Sequence, residues 1–117
     1  MFMIKLVNIM LYKDNKLEQK YLKIKTLFNN DSYIFHIDDI KTSINKNFFK
    51  RENNEFLFKL NIESKEASYF LKENNINLDI DVEKVLYIEE NNTIILEYKI
   101  SSDDSVFKIV IESDNKI

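Results

Sequence analysis

Along most of this chain apolar and polar residues alternate with a period of two. The clearest run sets Ile76, Leu78, Ile80 and Val82 against Asn77, Asp79, Asp81 and Glu83. After Asn91-Asn92 the alternation resumes at Ile94, Leu96, Tyr98 and Ile100. A period of two gives one buried and one wet face, so residues 76–100 predict a β-hairpin. Similar segments lie upstream. Residues 3–12 predict a first strand, and residues 17–28 its partner across a turn centred on Asp14-Asn15-Lys16. A turn at Asn29-Asn30-Asp31 leads to Tyr33, Phe35 and Ile37, alternating with Ile34, His36 and Asp38. Short strands at 40–45 and 47–51 follow, then Phe56, Phe58, Leu60 and Ile62 on one parity. The last strand is expected at 105–112, after a turn at Ser102-Asp103-Asp104.

Two stretches resist the simple pattern. In residues 64–74, Ala67, Phe70 and Leu71 have helical spacing and Ser64 is a fitting cap, yet Ala67, Tyr69 and Leu71 also alternate. Strand is the preferred reading, because every neighbouring segment is strand. The second stretch is 83–90. A two-residue loop at Asn91-Asn92 sets Glu90 opposite Thr93 and puts Val85 and Tyr87 beside Leu96 and Tyr98, leaving Ile76 to Val82 on the other parity. A β-bulge near Glu83-Lys84 restores one inner face.

The sum is about ten short strands with tight turns: an all-β antiparallel meander, and one domain over residues 1–117. Such a chain buries its core by closing into a barrel or folding into a sandwich. The expected core is Leu22, Phe35, Phe56, Phe58, Leu60, Leu78, Ile80, Leu96, Tyr98, Phe107 and Ile109.

Composition adds one structural constraint. The 117 residues include no Gly, Pro, Cys or Trp, where average usage would give roughly eight Gly and six Pro. Turns that need positive φ must therefore use Asn or Asp. No disulfide can form, which fits a cytoplasmic location. The segment Met1 to Tyr12 carries Lys5 and Asn8 and has no small-residue cleavage site, so it reads as a strand and not as a leader or a membrane span. Net charge is −3 with scattered lysines, which gives no electrostatic case for nucleic acid.

The order of the strand motifs resembles the YwiB-like calycin family, small bacterial β-barrels of unknown function. The matching pieces are Tyr33-Ile34-x-His36-x-Asp38-Asp39, Lys41-Thr42-Ser43-Ile44, Phe49-x-Arg51, Phe58, Tyr69-Phe70-Leu71 and Leu78-x-Ile80-x-Val82. The end of the chain is most similar, with Leu96-Glu97-Tyr98-Lys99-Ile100 and Phe107-Lys108-Ile109-Val110-Ile111. The chain departs from the family at Asn53-Asn54, where a Gly is usual nearby, and at Glu73-Asn74-Asn75-Ile76, where a Thr-Pro-Tyr-Gly turn is usual. The resemblance implies a small closed calycin barrel of the lipocalin type, and no activity.

Few residues suggest chemistry. His36, the only histidine, shares a face with Ile34 and Asp38; it is a general-base candidate on one reading and a solvated strand histidine on the other. Asp79, Asp81 and Glu83 form a row on one strand, but positions two apart lie roughly 7 Å from each other, too far to share one ion. Arg51 is the only arginine. Its fork suits a carboxylate ligand or, equally, an internal partner such as Asp38, Asp39 or Glu52. No phosphate loop, zinc spacing or nucleophile elbow is present, so the chain is read as non-enzymatic and without a cofactor. Two functions stay open. One is a barrel that binds a small apolar or amphipathic ligand, with Arg51, Tyr33, Tyr98 and His36 as candidate contacts. The other is a protein-interaction or homodimer module with a filled core. A cavity above about 300 Å³ separates them.

Overall fold

The computed structural model describes residues 2–102 and 104–113. Ten strands are present: β1 (Phe2–Lys13), β2 (Lys16–Asn29), β3 (Ser32–Ile37), β4 (Ile40–Ile44), β5 (Phe48–Glu52), β6 (Phe56–Asn61), β7 (Glu66–Leu71), β8 (Ile76–Glu90), β9 (Thr93–Ile100) and β10 (Val106–Ser113). They close an antiparallel meander barrel, with β1 paired to β2 on one side and to β10 on the other. The ambiguous stretch at 64–74 forms β7, and no helix among the described residues is long and apolar enough to cross a membrane. The turn expected at Ser102-Asp103-Asp104 includes Asp103, which lies outside the described residues.

Asn and Asp do the work of glycine at the turns. Nine of the eleven described positive-φ residues are Asn or Asp, the others being Lys23 and Lys65. The two-residue loops Asp14-Asn15, Asn30-Asp31 and Asn91-Asn92 have positive φ at both positions, the signature of the turn whose twist matches a hairpin. Other connections use asparagine side chains. Asn45 Oδ1 accepts hydrogen bonds from the backbone N–H of Asn47 at 2.7 Å and of Phe48 at 3.0 Å. Asn53 Oδ1 accepts in the same way from Glu55 and Phe56, at 2.8 and 3.1 Å.

The bulge required by the Asn91-Asn92 register is present. Val82 pairs with Ile100 and Lys84 with Lys99, so Glu83 is the extra residue. A second bulge lies in β2, where Val7 pairs with Ile24 but Ile9 with Tyr21. Lys23 there has a positive φ of 55°, and its N–H donates to Asn8 Oδ1 at 3.0 Å.

Inward residues form rings across the strands. Tyr33, Ile44, Phe49, Leu60, Ala67 and Ile80 are in register from β3 to β8. One step nearer the end that carries the β1–β2 and β3–β4 turns lies a second ring: Phe35, Thr42, Arg51, Phe58, Tyr69 and Leu78. Phe35, Phe58, Leu60, Leu96 and Ile109 are buried as expected, and Phe56, Ile80 and Tyr98 pack half-buried against them. Fully burying such a side chain stabilises by roughly 1.5–3 kcal/mol. Phe107 is half-buried. Two expected core residues are not buried. Leu22 is 59% exposed, because the bulge at Lys23 turns Tyr21 and Ile24 inward in its place. Leu78 keeps its inward parity but is 49% exposed, because residues 76–81 of β8 pair with β7 alone.

Candidate functional site

The meander places alternate turns at alternate ends of the barrel. The β1–β2, β3–β4, β5–β6, β7–β8 and β9–β10 turns therefore share one end. At this end β2 and β3 separate. Only Leu27↔Ile34, Phe28↔Tyr33 and Asn29↔Ser32 pair between them, and beyond these the two strands diverge. A cavity of about 520 Å³ lies inside this end, lined on the open side by Gln19 and Tyr21 of β2 and by Phe35 and Ile37 of β3. Its volume lies above the roughly 300 Å³ that separates a ligand-binding barrel from a filled one.

Strand alternation puts Arg51 in the cavity wall. On β5, Phe49 is buried and faces in, Lys50 faces out with its Nζ 5.1 Å from the Phe48 ring centre, and Arg51 faces in again. Thr42 of β4 pairs with Arg51 and is buried beside it. Tyr98 of β9 enters from across the barrel. Its ring is clamped by Phe49, Phe58 and Phe107, at centroid distances of 6.1, 6.0 and 5.4 Å. Burial pushes its hydroxyl from the ordinary 10.0 up to about 12, while the charge of Arg51 pulls the other way. Tyr98 is thus a neutral hydroxyl at physiological pH.

Arg51 has no ion pair or hydrogen bond among the described residues. The internal partners expected for it are engaged elsewhere or stand apart. Glu52 pairs with Lys72 at 3.6 Å, and Asp39 Oδ2 accepts from Asn53 Nδ2 at 3.4 Å. Asp38 is exposed at the rim, with Glu18. The Thr42 and Tyr98 hydroxyls also lack a hydrogen-bond partner among the described residues. One cation and two hydroxyls in a wall of Ile9, Leu11, Phe35 and Ile109 can together receive an oxyanion that carries an apolar body. A smaller cavity of about 280 Å³ continues past Arg51 and Tyr98, between Phe56, Phe58 and Tyr69.

The other candidates are not brought to this site. Tyr33 is buried nearer the opposite end, its ring 4.8 Å from that of Phe28, with Lys5 Nζ 4.4 Å from the Phe28 ring centre. It does not line the cavity. His36 lies on the outer face of β3, exposed opposite Lys41. Asp79 and Asp81 are exposed on β8, and Glu83 pairs with Lys99 at 2.9 Å. Among the described residues, no group of three or more His, Asp or Glu is placed to hold a metal ion. Thr42 was missed in the sequence, where its signal is a polar residue at core parity. No family model, curated protein or solved structure matches the chain, so the cavity and its three polar groups are what the functional reading rests on.

Proposed function

We propose that this protein is a non-enzymatic, cytoplasmic barrel of the calycin type that binds a small amphipathic ligand with an anionic head. The carrying observation is the Arg51 guanidinium, without an ion pair or hydrogen bond among the described residues, in the wall of a cavity of about 520 Å³. A partly desolvated cation without a partner is costly, and a ligand carboxylate offsets that cost through two parallel hydrogen bonds. Thr42 and Tyr98 donate to the remaining oxygen lone pairs, and the apolar body lies against Ile9, Leu11, Phe35 and Ile109. The idea of a ligand at a barrel mouth also agrees with the resemblance to the YwiB-like calycin family, a fold-level analogy.

The test is titration with an environment-sensitive fluorescent fatty acid. Wild type should give a saturable signal. Hydrogen bonds to a charged group contribute about 1.5–3 kcal/mol, so Arg51→Ala should weaken binding by about ten- to a hundredfold. Arg51→Lys should fall between the two, and neither substitution should lower thermal stability. The absence of a saturable signal with wild type refutes the reading.

A further inference from the structure

Two strands of the barrel leave long edges unpaired. From Lys16 to Thr26, β2 pairs with β1 alone. From Val82 to Glu90, β8 pairs with β9 alone, because its pairing with β7 ends at Asp81. The two edges carry opposite charge. Lys16, Lys20, Lys23 and Lys25 on the β2 edge face one acid, Glu18, and none of these lysines has an ion pair among the described residues. On the β8 edge Glu83 and Lys84 are already paired, with Lys99 and Glu97, which leaves Glu89 and Glu90 as the uncompensated charges. The exposed large hydrophobics follow the same strands. Leu17 and Leu22 stand on β2, and Leu86 and Ile88 on β8.

We propose that the β2 edge of one copy of this chain pairs with the β8 edge of another, so that the protein self-associates by adding strand to strand. An unpaired edge is a template for another strand, and main-chain hydrogen bonds supply the affinity. Charge selects the pairing. Two β2 edges repel through their lysines and two β8 edges through their glutamates, whereas β2 against β8 is attractive. Edge lysines and bulges also guard a sheet against indiscriminate pairing. Here the bulge at Glu83 leaves 84–90 of β8 regular, and the register shifts of β2 at Glu18 and Lys23 leave 19–22 regular between them. The two strands are separated by β1, β10 and β9 around the ten-strand ring, and so lie on nearly opposite sides of the barrel. A single two-fold dimer therefore cannot satisfy both edges, and the contact is head-to-tail.

Sedimentation velocity over a concentration series tests this. Wild type should grow beyond a dimer as concentration rises, and added salt should reverse the growth. Lys16→Glu with Lys20→Glu makes the β2 edge acidic, and Glu89→Lys with Glu90→Lys makes the β8 edge basic. Each double variant alone should associate about tenfold more weakly or not at all. An equimolar mixture of the two should recover association, since each reversed edge then meets its complement. Far-UV circular dichroism verifies that both variants fold, and the wild-type series stands alone if one does not. A wild type that stays monomeric up to its solubility limit, stops at a dimer, or is indifferent to salt overturns the proposal, as does a mixture that fails to associate.

Discussion

The wall from β4 to β7 and the long strands β1, β2 and β8 follow the same alternation but have different surroundings. The wall strands have five or six residues and are paired on both edges nearly throughout. The long strands have 12, 14 and 15 residues, and β2 and β8 are paired on both edges over only part of their length. The exposed large hydrophobics of the described residues all lie on these three strands, from Met3 to Ile88, and none on the wall. Alternation decides which face a residue takes. Burial depends further on whether a strand stands on each side. The same uneven pairing opens the barrel between β2 and β3 and leaves room for the cavity.

The largest test of this contrast compares one residue from each region. Phe58→Ala, in the wall, should cost about 3–5 kcal/mol in urea unfolding. Leu22→Ala, on the exposed part of β2, should cost no more than about 0.5 kcal/mol. Equal losses would break the contrast.

A smaller effect concerns alkaline pH. Tyr98 has its folded pKa raised from 10.0 to about 12 by burial. Its contribution is fully present below pH 10 and is lost as pH rises through about 12, because only the unfolded chain ionises readily in that window. Thermal midpoints measured across that range should fall less steeply in Tyr98→Phe than in wild type. Identical slopes would mean that the phenol is not desolvated.

Much of the fold was legible, for reasons tied to particular residues. Asn91-Asn92 fixed the β8–β9 register, and the parity conflict between Val82 and Val85 then required a bulge. The bulge at Lys23 gave no such warning. Tyr21 and Leu22 are adjacent and both apolar, so either one can face inward without a visible conflict. Leu78 has the correct parity, and its exposure comes from a missing neighbour that no local pattern records. Arg51 was legible as the only arginine at core parity. The cavity was not, since a void is set by where strands diverge and not by any one residue. His36 and Tyr33 were drawn toward the site by residue type alone, and the register sends one outside and the other to the far end.

The central claim is that the guanidinium of Arg51 receives an acid head inside the barrel. Because the chain has a single arginine, its side-chain Nε–H gives one resonance in a ¹⁵N-correlated NMR spectrum. On titration with decanoate, this account predicts a saturable downfield displacement of that resonance, with parallel shifts at Thr42 and Tyr98. An Arg51 resonance that stays in place while decanoate reaches saturating concentration would contradict it.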